Sequence, residues 1–205
     1  MAGSSPSPFY NPAHGDPTQL LASYVEAYQR TGDVGTLLDQ VRALAKRTDA
    51  DALKTVAAPY AQLPEVVIPV YEEIVAARPN DAQAMVVLAN AYWLTGRGAE
   101  AVGRLATRAK AIDARNRGAW HLWALAEPTV RRRVDRWMAV VAEFPDDQLA
   151  RAALADNAVS LATDEDDPVA LKLAIDTYEG LLREATHTAQ RLALEETLKK
   201  LRSAR

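Results

Sequence analysis

The sequence of 205 residues contains no cysteine and only three histidines, which limits the chemistry that it can carry. Without cysteine there are no disulfides, thiolate nucleophiles or cysteine-ligated zinc and iron–sulfur sites. The sequence also lacks a glycine-rich phosphate loop and a His-Glu-x-x-His zinc motif, and no histidine stands near a serine and an acid in a recognisable motif. We therefore expect no catalytic residues, no metal and no cofactor.

No charge of one sign dominates, and no long hydrophobic run occurs. The chain has 24 Lys and Arg against 27 Asp and Glu, so it offers no global positive field to a nucleic acid. The longest uncharged stretch, 82–96, contains polar residues and is shorter than the roughly 20 apolar residues that span a membrane. The N-terminus lacks the basic start and apolar core of a secretory signal. We expect a soluble, cytoplasmic protein with no nucleic-acid partner and no membrane insertion.

The N-terminal segment 1–16 differs in composition from the rest of the chain. It contains three Pro, two Gly and three Ser, with only Phe9 and Tyr10 as large apolar side chains. Such a composition does not offset the entropic cost of ordering the chain. We therefore predict a flexible or extended N-terminal arm, 1–16, followed by a folded region, 17–205.

Beyond the arm, large apolar residues recur three and four positions apart, as in Leu37, Val41 and Leu44. This is the period of an amphipathic helix with one buried stripe. Short breaks with helix-end chemistry separate the stripes, and no stretch shows the alternation and turns of paired strands. Three prolines are expected in the first turn of a helix, where the missing N–H costs nothing: Pro64, Pro128 and Pro168. The sequence predicts an all-α chain.

Helix-ending residues recur at a regular interval. Every second helix closes near one of five positions, Asp49, Pro79, Ala114, Pro145 and Thr186. Their spacing scatters around about 34 residues, the period of the tetratricopeptide class of helical hairpins. The clearest unit, 82–116, has residues that match the family's leucine, small, aromatic, glycine and two alanine positions, in this order: Leu88, Ala89, Tyr92, Gly96, Ala101 and Ala109. The sequence therefore resembles the tetratricopeptide repeat (TPR) family over about 17–186.

The resemblance implies an all-α, right-handed solenoid of about five helical hairpins. A further amphipathic helix, 189–203, sets leucines against charged residues and is expected to cap the end of the solenoid. The fourth hairpin concentrates three of the four tryptophans, Trp120, Trp123 and Trp137. We therefore expect this hairpin to be the best-anchored part of the core.

In TPR proteins the first helix of each hairpin lines a concave groove. The resemblance implies groove positions at Gln83, Val86, Asn90, Trp93, His121 and Leu125. An exposed Trp93 beside Asn90 suits peptide binding, because indole offers a large contact area and the amide pairs with a peptide backbone. The alternative is that Trp93 packs against the fourth hairpin. A groove that clamps a carboxylate is not expected, because Ala22 and Glu26 supply no cation at the matching positions of the first hairpin.

The most concentrated basic patch comprises Arg131, Arg132, Arg133 and Arg136. Such a run is either the solvated face of a helix or a docking surface for an acidic partner segment. The acidic run 164–167 lacks the spacing of a calcium loop and precedes Pro168, so we interpret it as favourable charge at a helix N-terminus. We interpret His121, between Trp120 and Trp123, as a packed or groove-lining residue rather than a general base.

These observations favour a protein-interaction scaffold that binds a partner peptide or helix in the groove. The alternative is a permanent structural subunit of a larger assembly, with the N-terminal arm and the fourth hairpin as fixed contacts. An enzyme with an unfamiliar site is a third hypothesis, which requires a deep pocket with converging titratable groups. The identity of the partner and the oligomeric state stay open at this stage.

Overall fold

A computed structural model describes residues 15–203, so most of the predicted N-terminal arm lies outside the described residues. Within this range there are eleven α-helices, a single 3-10 turn at 58–60, and no β-strand. The helices are α1 (Pro17–Thr31), α2 (Val34–Arg47), α3 (Ala50–Ala57), α4 (Pro64–Ala77), α5 (Ala82–Leu94), α6 (Ala99–Ile112), α7 (Arg117–Leu125), α8 (Val130–Glu143), α9 (Gln148–Glu165), α10 (Pro168–Glu184) and α11 (Thr188–Ser203). The prediction of an all-α chain is confirmed.

Aspartate side chains determine where many of the helices begin. The carboxylates of Asp49, Asp147 and Asp167 accept backbone N–H groups of the following helix at 2.9 to 3.0 Å. These bonds satisfy donors that have no partner within the helix. Asp16, the last residue of the predicted arm, caps α1 in the same way. The same helix ends at Gly32, whose φ of 71° is a left-handed conformation that glycine adopts without steric cost.

Two of the three prolines expected in a first helical turn occupy that position, in α4 and α10. The expectation for Pro128 is wrong, because α8 begins at Val130 and its N-cap is Thr129. The carboxylate of Glu127 accepts the N–H of Thr129 at 3.1 Å, and this bond closes a short turn around the proline. Pro128 therefore lies in the loop before the helix.

The chain forms two compact units, and the first extends to Ala91. Its core is aliphatic and lies among α1, α2, α3 and α4. Leu21, Leu37 and Leu53 are among the residues that are almost completely buried there. Replacing one buried leucine of this kind by alanine typically costs about 2 to 5 kcal/mol.

The second unit begins at Tyr92 and contains α6 to α11. One buried cluster joins α7, α8 and α9 and includes Trp137 and Leu154. Another joins α9, α10 and α11 and includes Tyr178 and Leu198. Leu198 is the fully buried side chain of α11, and most of the remaining positions of this helix are exposed. The capping role of this last helix stays a prediction.

Candidate functional site

The predicted groove positions on α5 lie on its solvent-exposed side. The exposed positions are Gln83, Asn90 and Trp93. Val86 is half-buried, whereas Leu88 and Ala89 are buried in the core. Trp93 keeps 40% of its surface in solvent, and its role in a groove stays a prediction.

The C-terminal end of α5 presents further apolar surface. Leu94, which follows Trp93, is 71% exposed. The helix ends where Gly96 adopts a φ of 69°, and the Gly96 N–H donates to the carbonyl oxygen of Trp93 at 3.2 Å. A residue with a side chain is strained at this φ, so glycine allows the chain to turn away directly after the two apolar residues. Both therefore stand at an exposed helix end.

The predicted groove position His121 is engaged in internal contacts. Its Nε2 lies 2.8 Å from Oδ2 of Asp147, and its ring meets Trp137 edge to face with centroids 5.2 Å apart. Because Asp147 also accepts the N–H of Ala150 at 3.0 Å, His121 ties α7 to the first turn of α9. Leu125 is half-buried against the cluster around Trp137. A groove formed jointly by the α5 and α7 residues stays a prediction.

The carboxyl group of Asp147 has a lowered pKa. Burial disfavours the charged form and by itself raises the pKa, but hydrogen bonds from the Ala150 N–H and from His121 outweigh burial and hold the pKa below its usual 3.8. The resulting negative charge also interacts favourably with the N-terminal end of α9. The contact between His121 and Asp147 therefore stabilises the packing of α7 on α9.

Arg131 of the predicted basic patch is a cross-link between helices. Its guanidinium donates to the carboxylates of Glu165 and Asp167 at 2.6 and 3.0 Å, and these bonds raise its pKa. Asp167 also accepts two N–H groups at the start of α10, which supports the interpretation of the acidic run as helix N-terminal charge. Arg132, the next residue along α8, is solvent-exposed.

Arg133 and Arg136 make hydrogen bonds within the fourth hairpin and to its neighbour. Arg133 donates to Oδ1 of Asn157 at 2.6 Å and to the carbonyl oxygen of Glu127 at 2.8 Å. Arg136 donates to the carboxylate of Glu127 at 2.7 Å and to the carbonyl oxygen of Trp123 at 2.6 Å. Glu127 is only 5% exposed, so its charge needs such partners. Three of the four arginines therefore make contacts within the fold, and docking of an acidic segment on this patch stays a prediction.

A cluster that the sequence analysis missed surrounds Lys110 of α6. The Lys110 ammonium lies 3.8 and 3.7 Å from the ring centroids of Trp120 and Trp123, and the two rings meet edge to face at 5.7 Å. Burial lowers the pKa of Lys110, and the nearby charge of Arg136 lowers it further. Attraction between the ammonium and the indole faces favours the charged form. The two indoles are thus occupied by a cation of the chain itself.

A second feature missed from sequence is a cleft among α9, α10 and α11. It has a volume of about 750 Å³, and its aliphatic lining comes from all three helices. The sequence predicted α11 only as a cap and indicated no binding surface on the inner side of this helix. The spacing of the apolar residues along each helix was visible, but which of them face a shared space depends on how the helices pack.

No protein-family model matches the sequence, and no curated protein matches it. Solved structures do: a thermophilic TPR protein of Thermus thermophilus is 20% identical, with 91% of this chain and 98% of that chain covered and a TM-score of 0.53. The chain has the TPR fold. PilF of Pseudomonas aeruginosa shares this TPR fold at 13% identity, with 91% and 86% covered and a TM-score of 0.60. MamA of Desulfovibrio magneticus does so at 16% identity, with 84% and 99% covered and a TM-score of 0.56. The predicted α-solenoid class is confirmed.

Among residues 15–203, no helix is both long and apolar enough to cross a membrane. In the same range, no group of three or more histidine, aspartate and glutamate side chains is arranged to hold a metal ion. The exposed side of α5 and the cleft beside α11 are the two candidate binding surfaces.

Proposed function

We propose that this chain is a protein-interaction scaffold that holds a segment of a partner protein against the exposed side of α5. The observation that carries the proposal is the 40% exposure of Trp93 beside the exposed Asn90. An indole ring buries a large area on binding, and an amide forms hydrogen bonds with a peptide backbone. The TPR fold supports the proposal, because stacked helical hairpins present extended binding surfaces.

The residues of α5 that pack in the core differ from the residues that a partner could contact. Leu88, Ala89 and Ala91 are buried, at 3%, 0% and 6% exposure, and supply the packing of the helix. Asn90 and Trp93 are exposed, so a partner can contact them without disturbing that packing.

The test replaces Asn90 and Trp93 together by alanine. Affinity capture from native lysate first identifies what the unmodified chain retains, and a dissociation constant is then measured for that protein with each variant. We expect binding to weaken at least tenfold, about 1.4 kcal/mol. The helical circular dichroism signal and the melting temperature should stay nearly unchanged.

Leu149→Ala is the matched control for this test. Leu149 is 75% exposed on α9, so its truncation removes apolar surface without altering α5. We expect this control to bind and to melt as the unmodified chain does. Unfolding of the double variant would show that Trp93 belongs to the core, and full-strength binding by a folded double variant would exclude this surface.

A permanent structural subunit is the alternative, and several exposed aliphatic side chains favour it. Val169 and Leu192 are 75% and 60% exposed, and a fixed assembly would cover such groups. A free adaptor purifies alone as a monodisperse species, whereas a fixed subunit aggregates until it is co-expressed with its partners. Size-exclusion chromatography with light scattering distinguishes the two.

A further inference from the structure

The cleft among α9, α10 and α11 is lined by aliphatic side chains, and these are Val159, Ala162, Leu171 and Leu201. A smaller extension of about 240 Å³ shares Val159 and Leu201 and continues along α9 to Asp156. Binding sites for small ligands have volumes of about 300 to 1,000 Å³. The space is therefore large enough for a few aliphatic side chains of a partner.

The lining of this cleft and its extension contains more acidic than basic side chains, with three aspartates and one lysine. Lys200 lines the cleft, but a glutamate of its own helix pairs with it at 2.7 Å, and an arginine of α8 pairs with Asp167. Asp156 at one end and Asp166 at the other are exposed carboxylates. The Tyr178 hydroxyl donates to Asp156, which leaves the negative charge of that carboxylate in place. The two ends of the cleft are thus acidic.

A helix end adds to the negative potential beside Asp166. The cleft includes Thr163, near the end of α9, and the C-cap Asp166, so the C-terminal end of α9 lies on this side. Such an end carries about half a negative charge on its unpaired carbonyl groups. The N-terminal end of α10 lies there too, but Asp167 already caps it. A cation is therefore favoured at this end.

We propose that this cleft binds an extended segment of a partner protein in which aliphatic side chains are flanked by two basic residues. Asp156 and Asp166 are ten positions apart along α9 and its C-cap, which corresponds to about 15 Å. An extended chain covers this distance in about four or five residues. The aliphatic side chains fill the space between Val159 and Leu201, and the two cations reach the two carboxylates.

The first experiment uses the full chain and three blocked, fluorescein-labelled octapeptides. The lysine peptide is Gly-Lys-Leu-Ala-Leu-Ala-Lys-Gly, the glutamate peptide replaces both lysines by glutamate, and the serine peptide replaces both leucines by serine. Fluorescence anisotropy measures each dissociation constant. We expect the lysine peptide to bind and the other two to bind at least tenfold more weakly. Raising the salt from about 0.05 M to about 0.5 M should weaken the lysine peptide at least threefold, because exposed charge pairs are screened.

The second experiment neutralises the two carboxylates by Asp156→Asn and Asp166→Asn in one variant. Asparagine keeps an oxygen that accepts the Tyr178 hydroxyl, and it tolerates the positive φ of 49° at position 166. The fold is therefore retained, and we expect the lysine peptide to bind at least fivefold more weakly. Asp176→Asn is the matched control, because it neutralises an exposed acid of α10 that does not line the cleft. This control should bind like the unmodified chain.

Three results would overturn the inference: equal affinity for the lysine and glutamate peptides, unchanged affinity in the double asparagine variant, or no binding of the lysine peptide at about 1 mM. The variant with alanine at Asn90 and Trp93 separates this cleft from the α5 surface. This variant should bind the lysine peptide as the unmodified chain does, so the test of the cleft is independent of the test of the proposed function. A loss of lysine-peptide binding in that variant would place the peptide on α5 and refute the assignment to the cleft.

Discussion

Each of the two compact units contains a loop in which a basic side chain contacts an aspartate that caps a helix. The basic residue differs between the two loops. In the first unit, Lys54 of α3 donates to Asp81, whose carboxylate accepts the N–H of Ala84 at 2.9 Å at the start of α5. In the second unit, His121 of α7 contacts Asp147, which caps α9 in the same manner. In both loops, the basic residue contacts the aspartate at the N-terminus of the helix that lies two helices further along the chain.

The two loops share the capping aspartate and differ in its basic partner. Both loops keep the aspartate, because a helix N-terminus needs an acceptor for its free N–H groups. The basic partner varies, because it is the lysine Lys54 in the first loop and the histidine His121 in the second. The Lys54 side chain is 37% exposed, whereas His121 is also packed against Trp137. The basic residue of the second loop therefore packs against an aromatic ring, whereas the basic residue of the first loop is more exposed to solvent.

The two units also differ in their aromatic residues. All four tryptophans lie beyond Ala91, and half-buried tyrosines border the core of the first unit: Tyr24, Tyr28, Tyr60 and Tyr71. Tryptophan fluorescence therefore reports on the second unit, while circular dichroism reports on both. The two signals allow the units to be compared within one unfolding experiment.

The largest expected effect comes from Trp137→Ala. The ring is 2% exposed, and its removal leaves a cavity, so the free energy of unfolding should fall by about 3 to 5 kcal/mol. Trp93→Ala removes a ring that is 40% exposed and should cost less than about 1 kcal/mol. Denaturant titrations followed by the remaining tryptophans measure both. Equal losses would refute the view that the fourth hairpin is the best-anchored part of the core.

The next effect comes from removing the two capping aspartates. Asp147→Ala and Asp81→Ala should each cost about 1 to 2 kcal/mol, because a helix start loses its acceptor. Asp147→Ala should cost more, since it also leaves the half-buried His121 without its partner, whereas Lys54 can turn to solvent. Asparagine at either position keeps the acceptor and is the control that should recover most of the loss. A larger loss of unfolding free energy for Asp81→Ala than for Asp147→Ala would contradict this order.

Contacts within a few positions of one another could be predicted from sequence, and contacts between helices could not. The apolar period and the aspartate and proline residues indicated the helices and their starts, as at Asp167, because caps act over two or three residues. The pairing of Arg133 with Asn157 joins residues on different helices, and its geometry depends on how α8 and α9 are rotated against each other. The same holds for Lys110, which the spacing of the tryptophans alone did not place between their rings.

Acid should destabilise both loops over the same range. Burial alone raises the pKa of Asp81 and Asp147, but the bond from Lys54 in one case and from the Ala150 N–H in the other helps to bring both pKa values below the usual 3.8. A carboxyl with a lower pKa in the folded state adds stability above its unfolded pKa, and this contribution disappears as the pH falls through the folded pKa. The free energy of unfolding should therefore decline from about pH 4 downward. Variants with asparagine at both positions should show a shallower decline in denaturant titrations at each pH.

The smallest expected effect comes from Lys54→His, which gives the first loop the basic residue of the second. Partly exposed ion pairs contribute about 0 to 1 kcal/mol, so the loss at pH 8 should stay below about 1 kcal/mol. A basic group stabilised by a carboxylate contributes below its unfolded pKa, and the contribution is lost as the pH rises, so the variant should be closer to the unmodified chain at pH 5 than at pH 8. Melting curves by circular dichroism at the two pH values measure this difference. His121→Lys is the reciprocal change, and it should cost more at both pH values, because lysine does not replace the imidazole ring beside Trp137. If Lys54→His melts at the same temperature relative to the unmodified chain at pH 5 and pH 8, the basic partner in the first loop is not stabilised by the charge of Asp81, and the two loops share only their helix caps.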